Sequence, residues 1–235
     1  MGPAKRSDPY ILCIETSGWH CSVALCRSDR IIAERTSSGK YDHSAMLAPQ
    51  VRDMLAEAGM TTHELAAVAL SAGPGSYTGL RVGTSTAKAI CFASGCPLVA
   101  VDTLEAVARE GMERSPDGGI YFPVLDARRM EVYVAAFDGR GERLLPDMAI
   151  EVDTTTFERL IAAGERIVIC GPAAEKCRAV TRGDTVNIDM FAVHARHLAQ
   201  PALERYFSAQ FSDNVLFTPK YIKAPHITKS VKPPF

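Results

Sequence analysis

A glycine-rich turn is the part of this chain whose residue types and spacing are best suited to chemistry. Gly73, Gly75, Ser76 and Thr78 lie in the sequence GPGSYT, directly after the apolar residues 67–72. Ser76 or Thr78 can cap a following helix, which leaves free N–H groups at its positive end. The four residues therefore predict a loop that faces a phosphate, and a tight turn without a ligand is the alternative.

The common nucleotide-binding fingerprints do not match this turn. A dinucleotide-binding loop needs a third glycine where the chain has Thr78. A P-loop needs Gly-Lys followed by Ser or Thr, but Gly79 is followed by Leu80 and Arg81. The turn thus predicts no standard nucleotide site.

Two other groups of polar residues have spacings that suit binding. His194 and His197 are three residues apart on a predicted helix and could share a metal ion, but a solvated helix face is the simpler interpretation. Asp126, Arg128 and Arg129 lie at a predicted hairpin turn, where they could contact substrate or tRNA, or simply be solvated.

Composition limits the class of protein. The chain has 235 residues, a net charge of −1 and 47% hydrophobic residues, which predicts a globular protein and disfavours a stand-alone RNA-binding module. Seven cysteines without a Cys-x-x-Cys pair argue against a zinc site. The N-terminus has no apolar signal core, and no stretch is long enough to span a bilayer. We therefore expect a cytoplasmic protein without a membrane partner.

Hydrophobic periodicity predicts two halves with a similar order of elements. Strands are predicted at 10–15, 21–26, 31–35, 67–72, 98–101, 120–125, 131–137 and 166–170, and helices at 44–58, 78–94, 102–113, 156–163 and 189–206, the last kinked at Pro201. The similar order suggests two related lobes. We expect a disordered N-terminus (1–9), an N-terminal lobe (10–115), a C-terminal lobe (120–212) and an extended tail (213–235).

Several motifs together resemble those of the bacterial TsaB (YeaZ) family. They are ILCIETS (11–17), CSVAL (21–25), the His43-Ser44 helix start, GPGSYTGLRVG (73–83) and DARRMEVY (126–133). The match runs in order from residue 11 to about residue 137 and is looser in the last third, at 170–172 and 218–223. The resemblance implies an actin/Hsp70-like (ASKHA) two-lobed α/β fold with mixed central sheets flanked by helices.

The resemblance also implies a subunit without catalytic residues. The catalytic relative TsaD transfers a threonylcarbamoyl group onto an adenosine beside the tRNA anticodon, using a metal held by a His-x-x-x-His pair. Here the matching positions hold Thr103 and Val107, so we expect no metal and no bound cofactor, with ATP or ADP entering only within a complex. The implied partners are a TsaD-like subunit, a TsaE-like ATPase and a second copy of the chain, with tRNA contacted only indirectly. The alternative is an enzyme of the same fold, a small ATP-dependent phosphotransferase or a peptidase.

A partner surface is predicted on two helices. Gly79, Gly83 and Ala87 form a stripe of small residues at four-residue intervals, which would let another backbone approach closely or would pack on the protein's own sheet. Arg81 and Lys88 lie on a different face. The resemblance implies a helical interface, for which the expected residues are Leu47, Val51, Met54, Gly79, Gly83, Ala87, Arg81 and Lys88.

Overall fold

The computed structural model contains two five-stranded mixed sheets. It describes residues 7–40, 42–117, 119–153, 156–157, 165–178, 180–181 and 186–223. The first sheet consists of β1 (Tyr10–Glu15), β2 (Ser22–Arg27), β3 (Arg30–Thr36), β4 (Ala67–Ser71) and β5 (Leu98–Val101), in the order β3-β2-β1-β4-β5. The second consists of β6 (Ile120–Asp126), β7 (Glu131–Phe137), β8 (Arg143–Glu151), β9 (Ile167–Cys170) and β10 (Val186–Asp189), in the order β10-β9-β6-β7-β8.

The two sheets have the same topology. In each, three strands form an antiparallel meander, and two further strands add in parallel beside the first strand of that meander. This repeated arrangement confirms the two-lobed actin/Hsp70-like fold class.

Helices cover the sheets on both faces. They are α1 (His43–Glu57), α2 (Tyr77–Ser94), α3 (Thr103–Arg114), α4 (Ala174–Arg178) and α5 (Ala199–Phe207), with 3₁₀ turns at Thr62–Glu64 and Ala195–Leu198. The Ser76 side chain caps the start of α2, and Gly95 ends it in the left-handed conformation with a φ of 74°. No helix within the described ranges combines the length and the hydrophobicity needed to cross a membrane.

Each half of the chain contributes a helix that packs on the sheet of the other half. Helices α1 and α2 pack on one face of the first sheet. The opposite face of that sheet is covered by α5 and the preceding 3₁₀ turn, through Leu198 and Ala202. Helix α3 packs on the second sheet through Leu104 and Val107. Residues 195–207 therefore pack with the first sheet, although the sequence places them in the C-terminal lobe.

The predicted helix at 189–206 is wrong in its first half. Strand β10 ends at Asp189 and pairs in parallel with β9, and a regular helix begins only at Ala199. Pro201 is the third residue of α5. The N–H groups of the first turn of a helix have no acceptor within that helix, so a proline there breaks no helical hydrogen bond and requires no kink. The predictions also missed most of β8 and all of α4. Residues 158–163 of another predicted helix lie outside the described residues.

Both ends of the described chain are tied to the fold. Asp8 accepts hydrogen bonds from Arg27 and Ser28, so residues 7–9 of the N-terminus expected to be disordered lie against the first sheet. Residues 213–223 run as an extended strap along the first lobe. Residues 1–6 and 224–235 lie outside the described residues.

Candidate functional site

The glycine loop after β4 lies directly beneath the turn between β1 and β2. The Ser76 N–H donates to the Ser17 carbonyl oxygen at 2.7 Å. A Cβ atom on Gly75 would lie 2.5 Å from Ser17 Cβ, and one on Gly79 would lie 2.1 Å from the Thr16 carbonyl oxygen. Because neither position has room for a side chain, the close packing of the two turns explains both glycines.

The main-chain donors of this loop are largely used inside the chain. The Gly73 N–H donates to Thr103 Oγ1 at 3.1 Å, and the Gly79 N–H donates to Ser76 Oγ at 3.2 Å. The structure does not support a phosphate contact at Gly73, which is buried with its amide paired, whereas such a contact at Gly75, which is half-buried and packs on the β1–β2 turn, stays a prediction. A phosphate contact at half-buried Ser76 or exposed Thr78 stays a prediction.

Two buried ionisable side chains support the β1–β2 turn. Glu15 is 1% exposed and accepts a hydrogen bond from the Ser17 N–H, while burial raises the pKa of its carboxyl group. His43, the first residue of α1, is 4% exposed, and burial lowers the pKa of its imidazole. Sequence reasoning assigned neither residue this supporting role. Their position beside the glycine loop depends on the pairing of β1 with β4, which connects distant parts of the chain.

The positions that would hold the metal of the catalytic relative are part of the core. The Thr103 and Val107 side chains are fully buried. Val107 also packs against Gly171, where an added Cβ would lie 2.6 Å from Val107 Cγ1. The Thr103 hydroxyl already accepts a main-chain hydrogen bond, and the aliphatic Val107 side chain has no donor atom, so the two residues cannot provide metal ligands as a histidine pair does. The residues present therefore do not fit that metal.

The two histidines considered as metal ligands have other contacts. His194 Nδ1 lies 3.3 Å from Thr36 Oγ1, and His197 Nε2 lies 3.4 Å from Glu110 Oε2. Burial lowers the pKa of His197 to about 3. Among the residues that the structure describes, no group of three or more His, Cys, Asp or Glu side chains is arranged to bind a metal. These contacts indicate a packing role for both histidines.

The turn between β6 and β7 has its charged residues arranged for internal contacts. The Asp126 carboxylate accepts hydrogen bonds from the Arg128 N–H and from Lys176 Nζ, each at 2.6 Å. Arg128 and Arg129 have φ angles of 75° and 48°. Both arginines are exposed, and a contact of this turn with substrate or tRNA stays a prediction.

The small-residue stripe on α2 faces the protein itself. A Cβ on Gly83 would lie 2.2 Å from Thr16 Oγ1, so this glycine lets α2 approach the end of β1. Six of the eight expected interface residues are buried within the chain, namely Leu47, Val51, Met54, Gly79, Gly83 and Ala87. For Leu47, Met54, Gly79, Gly83 and Ala87 the structure supports the alternative of packing inside the chain, whereas Val51, which is 5% exposed, also lines the groove between α1 and α2.

An apolar groove runs between the outer faces of α1 and α2. It has a volume of about 720 Å³. Its apolar lining includes Ala48, Leu55, Met60, Ala89 and Ile90, and we refer to it as the helical groove. Exposed apolar surface of this kind often marks a site of protein–protein contact. The groove lies on the two helices named from the sequence, and Val51 of the expected interface residues lines it, together with residues that the sequence did not single out.

Two of the expected interface residues do reach the surface. Arg81 is exposed and lies over the Tyr77 ring, with 4.7 Å between Cζ and the ring centroid. Lys88 is half-buried, and its Nζ donates to the carbonyl oxygens of Val215 and Phe217 at 2.8 and 3.2 Å. Whether either residue contacts a partner stays a prediction.

Comparison with known proteins identifies the family. A family model described as TsaD, tRNA N6-adenosine threonylcarbamoyltransferase, matches residues 30–231. The chain belongs to this family, and within it to the TsaB/YeaZ group.

The similarity to TsaB proteins covers part of each chain. The tRNA threonylcarbamoyladenosine biosynthesis protein TsaB of Bacillus subtilis is 35% identical over 60% of this chain and 61% of its own length. TsaB of Escherichia coli is 32% identical over 54% of each chain. The chain thus spans between half and two thirds of the length of these curated relatives.

A solved structure supports the fold over almost the whole chain. YeaZ from Pseudomonas aeruginosa superposes with a TM-score of 0.75, at 24% identity, and the match covers 91% of this chain and 99% of that one. The actin/Hsp70-like fold inferred from the strand order is therefore also the fold of a YeaZ protein.

Proposed function

We propose that this chain is a non-catalytic subunit required for threonylcarbamoyl transfer to the adenosine beside the tRNA anticodon. It acts in the cytoplasm by dimerising with a TsaD-like catalytic subunit. The family supports this role, because the curated relatives are named as tRNA threonylcarbamoyladenosine biosynthesis proteins.

The helical groove is the observation that carries this proposal. Helices α1 and α2 form a continuous apolar face, while Thr103 and Val107 are built into the core at the positions where the catalytic relative binds its metal. A surface suited to docking, on a chain without those ligands, fits a partner better than a catalyst. Self-association through the same face and contact with a TsaE-like ATPase belong to the proposal as well, and tRNA is contacted through the complex.

The decisive experiment changes one exposed residue of the groove. Ala89 lies on the outer face of α2, so Ala89→Arg adds a bulky charge at the docking surface without entering the core. We expect the variant to lose binding to the TsaD-like subunit of the same organism, measured by calorimetry. Threonylcarbamoyl transfer to tRNA in the reconstituted mixture should fall to the level of the TsaD-like subunit alone.

A matched control places the same charge elsewhere. Gln200→Arg adds an exposed arginine to α5, on the opposite face of the first sheet, and should leave binding and transfer unchanged. Unchanged binding by the Ala89→Arg variant would contradict docking through the groove. Transfer to tRNA by the isolated chain, or tight binding and turnover of ATP with magnesium in the absence of any partner, would favour the alternative of an independent enzyme.

A further inference from the structure

The strap (residues 213–223) is fixed to the folded chain by polar contacts along its length. Its first turn is closed by the Asp213 carboxylate, which accepts hydrogen bonds from the N–H groups of Val215 and Leu216 at 2.7 and 2.8 Å. Lys88 of α2 then donates to two strap carbonyls, and Asn214 Nδ2 donates to the Lys88 carbonyl at 3.3 Å. These contacts hold the first half of the strap against α2.

The second half of the strap is fixed at the junction of the two lobes. The Lys220 N–H donates to the Ala72 carbonyl oxygen at 2.7 Å, beside the glycine loop. The Lys220 side chain forms ion pairs with Asp102 at the start of α3 and with Asp147 of β8. Tyr221 packs on Tyr77 with 4.8 Å between the ring centroids. The strap is therefore held at both ends.

Large apolar side chains are nevertheless exposed to solvent where the strap lies against α2. Val215 is 78% exposed and Leu216 is 76% exposed, and Phe92 of α2, one helical turn after Lys88, is 85% exposed. Placing such side chains in water is unfavourable, and here a hydrogen-bonded backbone fixes the positions of the first two. The arrangement is typical of a preorganised binding surface, because the main chain does not have to be ordered on binding.

We propose that Val215, Leu216 and Phe92 form a second half of the docking surface and contact the same TsaD-like subunit as the helical groove. This inference rests on the proposed function. The apolar surface is continuous across α2, since Ala89 lines the groove and Phe92 comes three residues later on the exposed face. The partner surface that fits is apolar, because the three side chains offer no hydrogen bonds or charge.

The size of a stable interface supports this extension. Helices of 15 and 18 residues are about 22 and 27 Å long, and each is about 10 Å wide. Side by side they present a projected footprint of about 500 Å², and a stable interface buries about 800 Å² of accessible surface on each partner, so apolar side chains at the edge of this face add to the area available. The strap lies beside α2 and, together with Phe92 of that helix, widens this face.

The test compares the strap with the helical groove. The double variant Val215→Ser, Leu216→Ser removes the two apolar side chains and keeps the strap backbone, and we expect the dissociation constant for the TsaD-like subunit to rise at least tenfold by calorimetry. The matched control is Leu144→Ser on β8, which removes an apolar side chain that is 48% exposed and should leave the affinity unchanged. Hydrogen exchange of the Lys220 amide, unchanged in the double variant, shows that the strap still occupies its place.

Each outcome separates the inference from the function on which it rests. If the double variant binds as tightly as the natural chain while Ala89→Arg abolishes binding, the strap is not a docking element, although the proposed function stands. Loss of self-association alone, measured by sedimentation, would make a second copy of the chain the occupant and would overturn the inference. If neither variant changes binding to the TsaD-like subunit, both the inference and the proposed docking surface are wrong.

Discussion

The loops after β4 and β9 occupy equivalent places in the two lobes and can be compared directly. Each contains a Gly-Pro pair whose glycine has a positive φ angle, 101° at Gly73 and 107° at Gly171. A Cβ on Gly73 would lie 2.5 Å from the Lys220 carbonyl oxygen, and one on Gly171 would lie 2.6 Å from Val107 Cγ1. In both lobes the glycine permits a close contact with a distant part of the chain.

The helices that come after these loops differ between the lobes. In the first lobe the loop leads into α2 with 18 residues, which forms the helical groove with α1. In the second lobe it leads into α4, which has five residues. The same sheet topology therefore supports a long helix after this loop in the first lobe and, within the described residues, a short one in the second. Helix length, and not the sheet, gives the first lobe its helical groove.

The largest loss of stability should come from adding a Cβ atom to the closely packed glycines of the two loop regions. Gly79→Ala places a Cβ against the Thr16 carbonyl oxygen, and Gly171→Ala combines a clash with a positive φ angle. We expect each variant to lose about 3 kcal/mol of unfolding free energy in urea, since the first contact is with a backbone atom and the second is with the fully buried Val107 side chain. Gly139→Ala, where a Cβ meets nothing within 4 Å, is the control. A Gly79→Ala variant as stable as the control would show that the two turns are not closely packed.

The second prediction concerns the contact between the two helical segments that cross from one lobe to the other. His197, in the 3₁₀ turn Ala195–Leu198 before α5, lies beside Glu110 of α3. Burial lowers the pKa of this histidine from 6.5 to about 3. The unfolded chain therefore binds a proton below about pH 6.5 that the folded chain does not, so stability present above that pH is lost as the pH falls toward 3. The expected contribution is about 1 kcal/mol for each pH unit between roughly pH 6 and pH 4.

This pH dependence is measured by comparing variants in urea across that range. His197→Gln should remove the contribution and flatten the profile, whereas His63→Gln, at an exposed position, should leave it unchanged. Identical profiles for the natural chain and the His197→Gln variant would show that the histidine is not held neutral between the lobes.

A smaller effect is expected at the start of α2. The Ser76 hydroxyl oxygen accepts a hydrogen bond from the Gly79 N–H, so Ser76→Ala should cost about 1 kcal/mol and lower the melting temperature. Ser208→Ala, at an exposed position after α5, is the matched control. An equal melting temperature for the two variants would mean that α2 does not depend on this cap.

The smallest change in stability should come from removing the Lys88 contact that holds the strap on α2. Lys88→Met removes the donor to the Val215 and Phe217 carbonyl oxygens but keeps the length of the side chain. We expect faster hydrogen exchange at Leu216 and Phe217, with a change in global stability of only about 0.5 kcal/mol because the contact is partly exposed. Lys40→Met, beside Trp19, is the control. Unchanged exchange would indicate that α2 does not hold the strap.

Several elements could be predicted because local residue patterns determine them. The apolar spacing of α1, the capping Ser76 and terminal Gly95 of α2, and the strands of the first lobe were predicted within a few residues. The region 190–198 could not, because its apolar residues suit a helix equally well, and pairing of β10 with β9 decides the boundary.

Residue patterns alone were enough to locate most strands in each half, the limits of most helices and the motifs that indicated the TsaB/YeaZ group. The tertiary structure was needed to show which face of α2 is exposed to solvent. Gly79 and Gly83 are compatible with contact to a partner or to the chain's own backbone, and the second outcome results from the position of Thr16 at the end of β1. The strap was likewise expected to be an extended tail. Its contacts with Lys88 and Asp102 join residues more than one hundred positions apart, and no local pattern encodes such pairings.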